Sequence, residues 1–247
     1  MHIQSRRVCR ICPIAGAMLA AAILAGCAGL ERGGQPVIAT PSAGVFAPSA
    51  VPYGKTYGEW SVLWWQWVLG IPEHESPMTH ADMAPVHDAG SVVFLTGTFG
   101  ASAERSCAVP EGKAIFFPLV NTPYVCNLPS DTEKIARASV KQSMDHVTDL
   151  WAALDGVLLH GLQAFRFQSP AMFMVSFDSA DPLAALDPLP PYPPLTYPCF
   201  CDGYWLMLEP LSPGEHTLAW GGKTINQGTY PYVDIVTQDI TYHLTVE

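Results

Sequence analysis

Between His74 and His87 the sequence gathers three imidazoles and two thioethers: His74, Met78, His80, Met83 and His87, with Glu75 and Asp82 interspersed and Asp88 directly after. Imidazole with thioether suits copper, and imidazole with carboxylate suits zinc. The spacing matches no recognised metal motif, and polar loops collect histidines without function. Copper or zinc binding through this loop is therefore an alternative reading, and no cofactor is the first expectation. A second chemistry would need two carboxyl groups facing one cleft, as in glycoside hydrolysis. Glu59, Glu73, Asp88, Glu111, Asp202 and Glu209 are candidates, but the sequence places no two of them together. A Gly-x-Ser-x-Gly elbow, a His-Glu-x-x-His pair and an EF-hand loop are all absent. Gly54-Lys55-Thr56 and Gly222-Lys223-Thr224 mimic the end of a phosphate loop but lack its leading glycine. Catalytic residues stay unassigned, and the reading leans away from an enzyme, with a hydrolase of glycans or related polymers as an alternative.

Aromatic residues offer a binding chemistry instead. Trp60, Trp64, Trp65 and Trp67 fall within eight residues. At helical spacing Trp60, Trp64 and Trp67 share one face with Leu63, which suits a helix laid across a sheet. Trp65 lies off that stripe and is expected to be the exposed one. With Trp60, Tyr204 and Trp205 it makes a candidate aromatic contact surface for a small molecule, a glycan or an envelope protein. Four cysteines lie beyond position 27, namely Cys107, Cys126, Cys199 and Cys201. An even number suits disulfides in an oxidising compartment. Cys107 and Cys126 flank a loop that closes easily and are the expected pair. Cys199-Phe200-Cys201 stays open: neighbours at i and i+2 on an extended chain point the same way but close a strained ring, so a disulfide elsewhere, a metal or free thiols all remain.

These groups must be positioned by a mainly β chain. Thr56-Tyr57-Gly58-Glu59 is a capping box that opens the tryptophan helix, and Gly70 with Pro72 ends it. Ser130-Asp131-Thr132-Glu133 reads as a second box, opening a helix to about Asp149 with Ala136, Val140, Met144 and Val147 inward. Strands are expected at Ser91–Gly97, Lys113–Val120, Phe165–Gln168, Met172–Phe177, Gly203–Glu209, Glu215–Trp220 and Ile240–Val246. Leu150–Leu154 and Val157–His160 flank Asp155-Gly156, a strong hairpin turn. Seven prolines between Asp181 and Pro198 mark a stiff surface loop. The expectation is an antiparallel β-sandwich decorated by two helices and a Pro-rich loop, as a single domain over residues 53–247.

The first residues read as an address. Arg6, Arg7 and Arg10 precede an apolar run from Ile11 to Leu24, too short for a comfortable permanent span, that ends in Leu24-Ala25-Gly26-Cys27. That tetrapeptide resembles the lipobox of bacterial lipoproteins. The resemblance implies a signal peptide over residues 1–26, removed with Cys9 and Cys12, and a diacylglycerol on Cys27 with further acylation, such as palmitate. Ala28 lacks the aspartate linked in that family to inner-membrane retention, which implies an outer-membrane anchor with the domain facing the periplasm. The Gly-, Ala-, Pro- and Ser-rich residues up to 52 read as a tether with a reach of roughly 25–30 Å. Beyond Cys27 only nine of the 12 Lys and Arg remain against all 22 Asp and Glu. That balance repels phosphate backbones and excludes nucleic acid as a partner, and it leaves the acylated cysteine as the membrane link.

Gly58-Glu59-Trp60-Ser61 with Trp64-Trp65-Gln66-Trp67, then Phe116-Phe117-Pro118-Leu119 and Asn121, and Asp202-Gly203-Tyr204-Trp205 with Pro213-Gly214-Glu215-His216-Thr217, resemble a group of exported bacterial proteins of uncharacterised function. The resemblance spans most of residues 54–247 and implies an intact domain but no activity. The expectation is a lipid-anchored envelope protein that binds a ligand or acts as a scaffold.

Overall fold

Why helix α1 (Tyr57–Leu69) starts where it does is set by a few atoms. The Thr56 hydroxyl accepts from the Glu59 amide at 3.3 Å, and the Glu59 carboxylate accepts from the Thr56 amide at 2.7 Å. This is the reciprocal cap anticipated from sequence. The computed structural model describes residues 44–177, 196–226 and 234–247. Cys27, the expected leader, the first part of the expected tether and most of the expected Pro-rich loop lie outside the described residues.

Among the described residues eleven strands follow α1, with a second helix between the fourth and fifth: β1 (His87–Asp88), β2 (Val92–Phe94), β3 (Ser102–Val109), β4 (Ala114–Val125), α2 (Glu133–Asp145), β5 (Thr148–Leu154), β6 (Val157–Leu158), β7 (Arg166–Gln168), β8 (Phe173–Ser176), β9 (Thr196–Leu208), β10 (Gly214–Asn226) and β11 (Asp234–Val246). The first sheet has the order β1-β2-β4-β9-β7, with β8 also on β9, and the second has the order β3-β11-β10-β5-β6. The fold is thus mainly β with two helices, as anticipated, and its two sheets share one core. Phe117 of β4 meets Trp220 of β10 at 4.6 Å, and Trp220 stacks on Tyr242 of β11. α1 lies on the other face of the first sheet, where Trp64 meets Trp205 edge-on at 5.3 Å and Trp205 stacks on Phe116.

Both sheets are mixed rather than purely antiparallel. β2 and β4 pair in parallel, because the chain leaves the first sheet after Phe94, runs through β3 in the second, and returns beside β2. β3 itself pairs in parallel with β11, the last strand. Parallel neighbours need such crossovers, and here a strand of the opposite sheet supplies one.

Several boundaries differ from the sequence expectation. α2 is capped by the Thr132 hydroxyl, which accepts from the Ile135 amide, while Asp131 instead accepts from the Leu128 amide and the Tyr124 hydroxyl. The helix stops at Asp145, so Val147 leads into β5 rather than extending the buried stripe of Ala136, Val140 and Met144. β4 continues past Pro123 to Val125, with a register shift between Pro118 and Val120. A bulge is where a central strand tolerates proline. Asp155 and Gly156 both have positive φ, as the two-residue hairpin turn requires.

The Cys107–Cys126 disulfide is not formed, and all four described cysteines are free. Cys107 lies on β3 of the second sheet, opposite Leu244, whereas the Cys126 amide donates to the Pro198 carbonyl beside β9 of the first. Cys199 and Cys201 sit within β9 and point the same way, towards α1, while Phe200 between them packs on α2.

The tether also ends earlier than residue 52. Val45 is buried and bridges Leu208, the Phe46 amide donates to the Met207 carbonyl at 3.0 Å, and the Tyr57 hydroxyl donates to the Phe46 carbonyl at 2.8 Å. One edge of β9 is thereby tiled in turn by β8, β7 and Val45. A chain starting at Ala47 loses these two hydrogen bonds, a third from the Glu209 amide to the Gly44 carbonyl, and the buried valine, about 3 kcal/mol together. Scanning calorimetry is expected to show a fall in Tm of roughly 6–12 °C for a domain of this size. An unchanged Tm would mean that Gly44–Phe46 is not part of the fold.

Candidate functional site

On α1, positions 59, 62 and 63 share one helical face, which the helix leaves open and which Lys55, just before the Thr56 cap, extends. Lys55, Glu59, Val62 and Leu63 form one wall of a groove of about 310 Å³, and Pro170, Ala171, Met172 and Phe173, leading into β8, form the other. The walls are fixed at both ends. A side chain at Gly58 would place its Cβ 2.5 Å from the Gln168 carbonyl oxygen, so glycine is what lets the helix close on the end of β7. Just over two turns further on, the Gln66 side-chain amide donates to the Met174 carbonyl at 2.9 Å. The polar mouth is held too. Lys55 Nζ lies 5.2 Å from the Trp60 ring centroid, and the Glu59 carboxyl, bonded to the Thr56 amide and hydroxyl, is held below the usual carboxylate range. The arrangement can take up an apolar body and leave a polar end beside Lys55 and Glu59.

The expected aromatic surface is not one. Trp65 is 1% exposed and meets Trp64 edge-on at 4.9 Å, and Trp60 and Trp205 are buried as well; only Tyr204 is partly open. The reason is that α1 is enclosed beyond its sheet-facing stripe. Ser61, one turn before Trp65, is also fully buried, with its hydroxyl 3.4 Å from Cys201 Sγ. A stripe read from 3.6-residue spacing assumes one covered face, and here β8 packs along the helix in addition to β9.

The histidine and methionine loop is not gathered around a point. Met78 is 4% exposed and belongs to the core, while His87 stacks on Trp67 at 5.1 Å. His74 Nε2 lies 3.4 Å from Glu75, and His80 Nε2 lies 3.3 Å from Glu73. Met83 is half-buried. Among the described residues no three His, Cys, Asp or Glu side chains are placed to hold one metal ion. Burial pushes the Cys201 thiol up to about 12 and Cys199 higher still, so neither offers a thiolate near neutrality.

What shapes that loop is Arg105 on β3, which is 3% exposed and has no carboxylate partner among the described residues. Its guanidinium donates to the carbonyls of Pro77 (2.6 Å), Ala81 (3.1 Å) and Thr96 (2.7 Å) and to the Tyr242 hydroxyl (3.0 Å). A buried arginine also explains why β3 escapes a reading by alternation. The inward positions Ala103, Arg105 and Val109 do not look like an apolar set.

Of the candidate carboxylates, Asp202 belongs to a structural chain with Glu133 and Asp145. Asp202, fully buried, accepts from Arg166 Nη2 at 2.7 Å, from Arg166 Nε at 3.2 Å and from Gln168 Nε2 at 3.1 Å. Arg166 also donates to Asp145 at 2.7 Å and to the Lys141 carbonyl at 3.0 Å. Gln168 accepts from Arg137, which stacks over Phe200 at 4.1 Å and reaches Glu133 at 2.7 Å. The run Glu133–Arg137–Gln168–Asp202–Arg166–Asp145 thus bolts α2 to the first sheet along its whole length. Glu59, Asp88, Asp145 and Asp155 all titrate below the usual carboxylate range; Lys113 holds Asp88 down, and Lys141 with Arg166 holds Asp145 down. A general acid needs the opposite shift.

Removing Arg166 strands the Asp202 charge in the protein interior. Arg166→Ala is expected to cost about 3 kcal/mol in urea unfolding, against about 1 kcal/mol or less for Arg137→Ala, whose partners are nearer water. Equal costs would refute the assignment of Asp202 as the anchor of the chain.

Comparison of the chain with protein-family models, with curated proteins and with solved structures finds no match.

Proposed function

We propose that this chain is an exported, lipid-anchored binding module of the cell envelope, probed by its ligand at the groove between α1 and Pro170–Phe173. The groove carries the reading. It is an open depression whose walls are pinned by Gly58 and Gln66, and six of its eight lining residues are apolar. Its volume of about 310 Å³ falls at the small end of ligand sites. An aliphatic or amphiphilic molecule fits this lining better than a sugar, whose faces stack on open indole rings, because Trp60, Trp64 and Trp65 are enclosed. Export and anchoring rest on the basic start, the apolar run and Leu24-Ala25-Gly26-Cys27. The acid-rich remainder suits a covalent membrane link rather than docking on anionic lipid. Binding is favoured over glycan hydrolysis because the shifted carboxyls all move down, and over copper or zinc because His74, His80 and His87 each have a separate neighbour.

Two measurements test this. Mass spectrometry of the membrane fraction is expected to find a mature chain beginning at Cys27 and carrying a diacylglycerol, with Cys27→Ser left unprocessed. A chain still beginning at Met1 would end the anchoring proposal. For the groove, titration with N-phenyl-1-naphthylamine, an apolar fluorophore, is expected to show saturable binding that Leu63→Arg weakens about tenfold or more, roughly 1.4 kcal/mol. Leu158→Arg, on the exposed hairpin strand β6, should leave it unchanged. Equal affinity in the Leu63→Arg protein would remove the groove as the site.

A further inference from the structure

Two turns meet beside the edge of the second sheet: Asp155-Gly156, between β5 and β6, and Pro210–Gly214, between β9 and β10. His216 stands between them. Its Nδ1 is 2.7 Å from Asp155 Oδ2, and its Nε2 is 2.9 Å from the Ser212 carbonyl oxygen. The other Asp155 oxygen accepts from the Thr217 amide at 2.8 Å. Ser212 Oγ lies 3.5 Å from Nε2, so the three side chains have the order of a Ser–His–Asp relay. The carbonyl decides against that role. A general base needs a lone pair on Nε2, whereas a carbonyl oxygen at 2.9 Å requires a proton there.

A carboxylate and a carbonyl are both acceptors at the distances seen, so both ring nitrogens must carry hydrogen. We propose that His216 is a pH-sensitive latch, which as the imidazolium ties the Pro210–Gly214 turn to the Asp155 turn and on losing its proton lets the Pro210–Gly214 turn loosen. The consequence reaches the first described residues of the chain. Glu209, immediately before that turn, donates its amide to the Gly44 carbonyl at 2.8 Å, next to the Val45–Leu208 bridge. The latch therefore controls how firmly β9 holds the segment through which any N-terminal tether enters the domain.

The charged groups facing the ring are Asp155 and Glu215, the latter also engaged by the Thr245 hydroxyl at 3.0 Å. The bond to Asp155 and then that to the Ser212 carbonyl hold His216 above the ordinary histidine value, against its burial. Burial pushes Asp155 up, but its bonds from His216 and the Thr217 amide outweigh this and keep it ionised. Because the folded histidine value is raised, the tie is complete at and below about pH 6.5 and is lost as pH rises through the folded value.

Hydrogen exchange on the full chain between pH 5 and 9, corrected for intrinsic rates, reads the latch at the amides of Glu209 and Thr217, which donate to the Gly44 carbonyl and the Asp155 carboxylate. Their protection is expected to fall about fivefold as His216 deprotonates. In His216→Gln it should be low and independent of pH, while His243→Gln, on an exposed His–Glu104 pair, should behave as the native chain. Nitrogen NMR of the His216 ring at pH 6 gives a second reading and is expected to show both nitrogens protonated. A singly protonated ring there, flat protection in the native chain, or a pH-dependent fall that survives in His216→Gln would each overturn the proposal.

Discussion

Stacking of Trp205 on Phe116, with Trp64 edge-on to Trp205, is the contact from which the rest of the first sheet takes its position. Trp205 is on β9 and Phe116 on β4, neighbouring strands, so the pair fixes their registry on the face that α1 must cover. Two glycines let this happen. A Cβ at Gly203 would sit 2.5 Å from the Asn121 Cβ and 2.9 Å from Trp205 Nε1, and a Cβ at Gly58 would strike the Gln168 carbonyl. Where side chains of 150–250 Å² are buried edge to face, the neighbouring backbone has to give way, and glycine is how it does so. The Trp64 indole then donates to the Leu95 carbonyl at 2.8 Å, satisfying a group at the point where β2 ends and the chain crosses to the second sheet.

Once that aromatic layer is set, the elements around it are held by polar groups that could not be buried alone. Arg105 reaches out of the second sheet to the Pro77 and Ala81 carbonyls, and so gives a long irregular loop a fixed shape. Asp202 does the same for α2 through Arg166 and Gln168. Each is a charge that costs free energy to desolvate and is tolerated because its partners are complete. The two arrangements differ in what they ask of substitution. Arg105 is surrounded by carbonyl dipoles, so an apolar replacement of similar volume leaves unpaired acceptors, whereas replacing Arg166 leaves an unpaired charge.

The parts of the fold that depend on local chemistry were legible in the sequence. The Thr56–Glu59 box, the Asp155-Gly156 turn and the alternating last strand are each settled by neighbouring residues, and all three are present as read. Features that need a distant partner were not. β3 hides behind a buried arginine whose acceptors lie in other segments, and the parallel pairings depend on which sheet an intervening strand joins. Trp65 was placed in solvent because the spacing of α1 reveals one covered face but not a second. The groove was equally out of reach: Leu63 and Met172 are unremarkable apolar residues until Gly58 and Gln66 set the gap between their backbones.

The free cysteines follow from the same packing. A disulfide stabilises mainly where a small domain cannot build a core, by limiting the unfolded chain. Here the core runs continuously from Trp60 through Phe116 and Trp205 to Trp220 and Tyr242, and it needs no crosslink to close. Burial then keeps the thiols inert. Cys107 is pushed up to about 11 and Cys201 to about 12, so the thiolate that would attack a disulfide or react with an oxidant is scarce at neutral pH. Cys199 and Cys201 cannot meet each other across Phe200 without a strained ring, and both face the underside of α1. In the oxidising compartment proposed for this chain, reduced cysteines would thus persist because geometry and burial withhold them from reaction rather than because a reductant protects them.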